Sequence, residues 1–250
     1  MYQFFVNPEN IQGKRIVIDG TDVNHIKNVL RMQPGEEISV SNGIDGREYR
    51  CGIVSLGDTI ECELRFIKED SVELPSKIYL FQGLPKSDKM ELIIQKAVEL
   101  GAYEIVPVAM SRCVVKLDAK KAASKVARWN EIARAAAKQS KRAIIPTVHD
   151  VVTLKEAICL AEDFDVLFTP YEMAEGMQAT RDMMENIKPG QRVGFFIGPE
   201  GGIADEELAL LTEAKAAPVT LGKRILRTET AGMTVLSWLV YLLEGREVVQ

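Results

Sequence analysis

A change of hydrophobic period near residue 71 is the feature that most restricts how this chain can fold. Up to about residue 70, apolar and polar side chains alternate, most clearly in Ile60-Glu61-Cys62-Glu63-Leu64-Arg65-Phe66, the pattern of a strand with one face in a core and the other in water. Arg15–Ile18, Glu37–Ser41 and Glu48–Leu56 read the same way and are separated by the turn signals Asn42-Gly43 and Asp45-Gly46. One helix is expected among them, capped at Thr21 or Asp22 and running through His25 to Arg31. Residues 71–76, with Pro75, read as a linker, and beyond them short apolar runs alternate with helical ones. Buried strands are expected at 78–82, 105–109, 144–148, 166–169, 193–197 and 219–221, because strands covered on both faces read as unbroken apolar runs. A capping box at Asp88 and Glu91 opens a helix ending at Leu100 with Gly101 beyond it, and 205–216, capped by Asp205, reads as a second. These patterns divide the chain into a small, mostly antiparallel β-barrel with one helix, residues 1–72, and an α/β domain, residues 73–250. The second should contain a mainly parallel sheet with ligands outside the carboxyl ends of its strands.

Several function classes drop out on composition. The longest apolar stretch, 233–243, is far shorter than the roughly 20 residues that span a bilayer. Residues 1–8 lack the basic and apolar regions of a secretory signal, so a cytoplasmic location and no membrane partner are expected. Cys51, Cys62, Cys113 and Cys159 have no metal-ligand or disulfide spacing and read as small buried hydrophobes, so no metal is expected. The net charge of −5 weighs by itself against a nucleic-acid partner. Its distribution reverses that inference: residues 111–142 carry +8, whereas 143–221 carry −9. Within the basic segment a helix places Val126, Trp129, Ala133 and Ala137 on one arc and Lys125, Arg128, Arg134, Lys138, Lys141 and Arg142 on the other. Such a face is either a solvated surface or a polyanion footprint.

Two loops carry the candidate chemistry. Gly194-Phe195-Phe196-Ile197-Gly198-Pro199-Glu200-Gly201-Gly202 is an apolar strand running into a glycine-rich turn. Its spacing matches neither a dinucleotide fingerprint nor a phosphate loop, leaving simple turn chemistry or close backbone approach to a ligand. Leu221-Gly222-Lys223-Arg224-Ile225-Leu226-Arg227-Thr228-Glu229-Thr230-Ala231-Gly232 lies where the last strand meets the last helix. Thr228 and Thr230 are its candidate caps, and the helix N-terminus offers oriented N–H groups.

Ile197-Gly198-Pro199-Glu200-Gly201-Gly202 together with Leu221-Gly222-x-x-Ile225-Leu226-Arg227-x-Glu229-Thr230-Ala231 resembles the signature of the ribosomal small-subunit (16S) RNA uridine N3-methyltransferases of the SPOUT superfamily. Leu84-Pro85-Lys86, Lys96-x-x-Glu99-Leu100-Gly101, Ser111-Arg112, Gln139-Ser140-x-Arg142 and His25-x-x-x-Val29-Leu30-Arg31 extend the resemblance over nearly the whole chain. It implies a PUA-like RNA-binding barrel, a C-terminal α/β domain threaded as a deep trefoil knot, and a homodimer acting on small-subunit ribosomal RNA within the assembled 30S particle. Composition and periodicity do not show a knot, and general topology rules argue against one. The implied cofactor is S-adenosyl-L-methionine, with S-adenosyl-L-homocysteine as product, held by Thr169, Pro170, Ile197, Gly198, Pro199, Glu200, Gly201, Leu221, Gly222, Ile225, Leu226, Thr228 and Ala231. Arg31, Arg112, Arg128, Lys138, Gln139 and Arg142 are the expected RNA contacts, and Gln3 stands where members of the family often have Arg.

Methylating uracil N3 requires removal of a proton and stabilisation of the charge left on the ring. Arg227 is the candidate for the second task and Glu229, directly or through a water, for the first; the alternative is that the two pair to shape the loop. A SPOUT enzyme acting on another RNA atom, or a non-catalytic RNA-binding assembly module, would carry much of the same sequence.

Overall fold

The computed structural model describes residues 1–68, 70–174 and 176–246 and divides into two units, residues 1–73 with 137–145, and 74–136 with 146–250.

In the first unit the alternating stretches form a six-stranded sheet: β1 (Gln3–Phe5), β2 (Ile11–Gln12), β3 (Arg15–Ile18), β4 (Glu37–Ser41), β5 (Glu48–Leu56) and β6 (Ile60–Lys68). Its order is β1-β4-β5-β6-β3-β2, antiparallel except for β1 against β4. Register shifts between Arg50 and Cys51 and between Ile53 and Ser55 interrupt the β5–β6 ladder, and such bulges increase local twist and bend a strand. The inward faces bury Phe4, Ile16, Ile18, Ile38, Cys51, Ile60 and Cys62. The expected helix forms as a short α1 (Thr21–Asn24) continued by a π-turn over His25–Val29. Its N-cap is neither Thr21 nor Asp22 but Gly20, which occupies a positive-φ conformation.

The second unit is the expected α/β layer structure. Strands β7 (Lys77–Gly83), β8 (Glu104–Ala109), β9 (Thr147–Val148), β10 (Val152–Thr153), β11 (Val166–Pro170), β12 (Arg192–Ile197) and β13 (Ala217–Val219) pair only in parallel. Their order is β10-β8-β7-β12-β11-β13, with β9 also beside β8. Phe81, Phe168, Phe195 and Phe196 are buried, and Phe81 stacks on Phe196. The connecting helices are α2 (Lys89–Glu99), α3 (Ala119–Gln139), α4 (Leu154–Leu160), α5 (Met177–Glu185), α6 (Asp205–Glu213) and α7 (Thr228–Leu243).

Local signals were uneven guides to the boundaries. Gly101 follows α2 with φ +83°, as a helix-terminating glycine should. Asp88 precedes α2 without making a side-chain cap, and α6 is preceded by Ala204, whose N–H donates to Glu207, so Asp205 is not its cap. The segment expected as a strand from 144 is paired as β9 only at Thr147–Val148, whereas Ile144 bridges Gly43 in the first unit. Three of the cysteines are buried as expected, and burial pushes the Cys51 and Cys62 thiols up to about 12; Cys159, on α4, is instead exposed.

Candidate active site

The strand order reverses between β7 and β12, since the chain leaves β7 toward β8 and later returns to build β12, β11 and β13 on the other side. Crevices outside the carboxyl ends of strands at such a reversal are where open α/β sheets bind ligands. Here the segments following β7, β11, β12 and β13 supply the walls of a cavity of about 350 Å³. Pro170 ends β11; Ile197, Gly198, Pro199 and Glu200 form the glycine loop after β12; Ile225, Leu226, Arg227, Thr228 and Ala231 come from the loop and first turn leading into α7. A smaller space of about 110 Å³ continues along Leu221 and Gly222 and shares Pro170, Ile225, Leu226 and Ala231 with the first. The two loops singled out by sequence therefore face one cleft.

Close packing fixes the glycine loop. A Cβ on Gly198 would lie 2.8 Å from Ile203, and one on Gly83, at the end of β7, would lie 2.8 Å from the Pro199 ring. Thr228 Oγ1 donates to the Gly198 carbonyl at 2.7 Å and accepts from Gln82 Nε2 at 2.9 Å, so a buried chain of polar groups joins β7, α7 and the glycine loop. Thr228 is consequently not the cap of α7: Arg227 holds the N-cap position, with no side-chain bond to the helix. From the other side, Arg112 Nη1 donates to the Gly201 carbonyl at 3.1 Å.

Charged groups ring the cleft. Lys89 Nζ, at the start of α2, lies 3.0 Å from Glu200 and 3.3 Å from Glu229, and its bond to Glu200 holds the ammonium above the usual lysine range. Burial pushes the Glu200 carboxyl upward, but hydrogen bonds from Lys89, from its own backbone N–H and from the Lys86 N–H outweigh it and keep the group below the ordinary carboxylate range. The ion pair of Glu229 is thus made with Lys89 and not with Arg227, which is exposed at the cavity wall. Glu172, after β11, joins Glu200 as the second carboxylate of the cavity lining, whereas Glu229 stands behind that lining, against Lys89.

Most of the residues expected around a cofactor are on these walls. Thr169 and Gly201 are not: Thr169 is buried with its hydroxyl bonded to the Phe196 carbonyl, and Gly201 is turned against Arg112. Lys89, Gln82 and Glu172 are additions that the sequence left unremarked. Only Gln82 carried a signal, as a polar residue inside the apolar run of β7.

The expected RNA contacts separate by environment. In the second unit, Arg128 is 68% exposed on α3 and paired with Glu91 of α2. In the first, Arg31 is exposed with φ +54°, Gln139 is exposed, and Lys138 is half-buried, paired with Asp22 over the Phe4 ring. Arg142 contradicts its expected role. Its side chain is 5% exposed and bound to Glu73, which also accepts the Ala143 and Ile144 N–H groups, while the Arg142 carbonyl accepts from Gln3. A guanidinium so enclosed cannot meet a phosphate. No cluster of residues suited to hold a metal occurs among the described residues, and none of their helices is long and apolar enough to cross a membrane.

Known proteins share this arrangement. A model of the RNA methyltransferase domain matches residues 72–240, and a model of the RNA methyltransferase PUA domain matches residues 18–67. The ribosomal RNA small subunit methyltransferase E of Bacillus subtilis is 40% identical over 231 residues, 91% of this chain and 90% of that protein. The crystal structure of a ribosomal RNA small subunit methyltransferase E from Neisseria gonorrhoeae, bound to S-adenosyl methionine, matches with a TM-score of 0.82 at 32% identity, covering 97% of this chain and 98% of that one. A putative methyltransferase from Legionella pneumophila, in complex with the cofactor SAM, matches with a TM-score of 0.81 at 32% identity over 96% of each chain. With both of its domains matched and its cleft built from the two signature loops, the chain belongs to the ribosomal RNA small-subunit methyltransferase E family of SPOUT enzymes.

Proposed function

We propose that this protein methylates N3 of a uridine in small-subunit ribosomal RNA, using S-adenosylmethionine held in the cleft between the glycine loop and the loop entering α7. The observation that carries the reading is the convergence of both loops, with Arg227 and the Glu229-bearing turn, on one cavity at the point where the strand order reverses. The residues present suit the cofactor. Gly198 puts backbone on the cavity wall, Ile197, Leu226 and Ala231 offer apolar surface for a purine, and Glu172 and Glu200 offer negative charge to a cationic ligand.

When bound, S-adenosylmethionine supplies an electrophilic methyl on a sulfonium; as N3–CH₃ forms, the C–S bond breaks and a neutral thioether leaves. The protein's tasks are to align the uracil with that methyl and to manage one proton and one developing charge. Glu229 receives the N3 proton, directly or through a water, and the exposed guanidinium of Arg227 faces the charge that spreads to the flanking carbonyl oxygens. Leu221 and Gly222 extend the same wall, and Thr169 and Gly201 act through the backbone of the strands and loop they support. The trefoil knot and cytoplasmic work on the assembled 30S subunit belong to the same reading, as do RNA contacts from Arg31, Arg112, Arg128, Lys138 and Gln139. A homodimer also belongs to it, and is supported by an apolar groove along α5 and α7 where Trp238 and Met184 meet Tyr241, itself 87% exposed.

The deciding experiment transfers labelled methyl from the cofactor to small-subunit RNA, naked and within 30S subunits, and maps the product by mass spectrometry. One 3-methyluridine is the expected product. A ribose methyl, or no transfer to either substrate, would sink the reading.

A further inference from the structure

Lys89 stands out in the cleft because the chemistry assigned to Arg227 and Glu229 does not use it. It opens α2, a position where the helix dipole disfavours a cation, so its placement there needs a compensating interaction. That compensation is a pair of carboxylates from two other elements: Glu200 Oε1 at 3.0 Å, after β12, and Glu229 Oε2 at 3.3 Å, in the first turn of α7. Glu229 Oε2 is fully buried and has no hydrogen bond among the described residues; the Lys89 ammonium faces it outside hydrogen-bonding geometry. β7 and β12 are neighbours at the reversal of strand order, so the chain after β7 brings Lys89 to the glycine loop by topology.

We propose that Lys89 is a positioning residue for methyl transfer, its ammonium holding Glu200 of the glycine loop and Glu229 of α7 as a fixed pair beside the cleft. This role rests on the function proposed above. Bridging the two carboxylates couples the loop that lines the cofactor space to the residue that receives the uracil proton. Removing the ammonium leaves two carboxylates sharing one site, and like charges so placed take up a proton at higher pH. The other charged groups around the pair are Arg227 and Glu172 on the cavity wall, Arg112 behind the glycine loop, and Asp88 and Glu91 on the α2 side, Glu91 being engaged by Arg128. None of these is within ion-pair distance of Glu200 or Glu229 among the described pairs.

Lys89→Met and Lys89→Arg test the role in the full-length protein. In the cofactor-free chain, carbon NMR of the glutamate carboxyls should show the Glu200 titration, held low by the Lys89 hydrogen bond, moving upward in Lys89→Met and staying in place in Lys89→Arg. In single turnover, Lys89→Met should be about tenfold slower at the acid end of the pH profile, with the deficit closing as pH rises, and Lys89→Arg should restore the profile. An unmoved Glu200 titration, or a rate deficit that is constant with pH and not rescued by Arg, would overturn the proposal. Should Lys89→Met fail to fold, Glu200→Gln decides the matter: with the ammonium left to Glu229 alone, the acid limb should move to lower pH, and an unmoved or raised limb overturns the role. If the unaltered protein transfers no methyl to small-subunit RNA, the functional reading fails, while the Glu200 titration still decides whether Lys89 holds the pair.

Discussion

Thr228 donates its hydroxyl proton to the Gly198 carbonyl at 2.7 Å and accepts one from Gln82, so the first residue of α7 fastens the glycine loop to the centre of the parallel sheet. Thr228→Val keeps the shape but leaves the Gly198 carbonyl and a Gln82 N–H unpaired in a buried place. Each orphaned group costs about 1–3 kcal/mol. Calorimetry should show S-adenosylmethionine affinity falling by about tenfold or more, and thermal unfolding should move to lower temperature. Unchanged affinity would mean that the loop is held by packing at Gly83 and Gly198 alone.

Arg142 and Glu73 form a nearly enclosed ion pair in the first unit, and Glu73 is also the acceptor for two backbone N–H groups. Breaking such a pair from one side strands a buried charge, at a cost of about 3–5 kcal/mol. Arg142→Met should therefore lower the urea midpoint of the barrel unit strongly. The double variant Arg142→Met with Glu73→Gln should recover part of the loss, because the stranded charge is gone. Were Arg142 an RNA contact instead, its replacement would flatten the salt dependence of RNA binding while leaving the urea midpoint unmoved.

That contrast shows where sequence reading reached and where it stopped. Features set by neighbours along the chain were legible: the alternation that became β6, the apolar runs that became β7 and β12, and the two loops that became the cleft. What depends on partners far apart in sequence was not. Nothing near Arg142 announces Glu73, 69 residues away, so a cation in a basic run reads as solvated. Lys89 likewise carries no mark in the sequence of the Glu200 and Glu229 carboxylates that the sheet order places against it. Gln3, notable as a departure at an expected RNA position, is buried and bonded to the Arg142 carbonyl, which gives it a folding role. Strand β13 spans Ala217–Val219 and shares only Val219 with the run expected at 219–221, while Leu221 lies on the cleft wall.

The four cysteines should separate cleanly on alkylation. Burial raises the thiols of Cys51 and Cys62 to about 12 and also raises that of Cys113, so all three lack both thiolate and access at neutral pH. Cys159 is exposed. Intact-mass measurement after maleimide treatment should find one adduct per native chain, located at Cys159 by peptide mapping, with the rest appearing only in denaturant. Early labelling of Cys51 or Cys62 would show that the barrel core opens far more readily than its packing indicates.

The basic face of α3 is open to phosphates. Lys121 and Arg128 keep 73% and 68% of their side chains exposed, and Arg134 is exposed as well, so phosphates can reach all three despite the pairs Lys121 makes with Asp118 and Arg128 with Glu91. Each phosphate neutralised contributes about 0.7 to the slope of log affinity against log salt for single-stranded RNA, and about 0.9 for a duplex. Replacing the three together with Gln should therefore reduce that slope by about two in filter-binding or fluorescence titrations, with thermal stability near that of the unaltered chain because exposed pairs contribute little. Affinity should fall at low salt and converge with the unaltered protein at high salt, since only the ionic part is lost. Parallel salt lines would place the RNA on another face and would leave the +8 segment as a solvated surface.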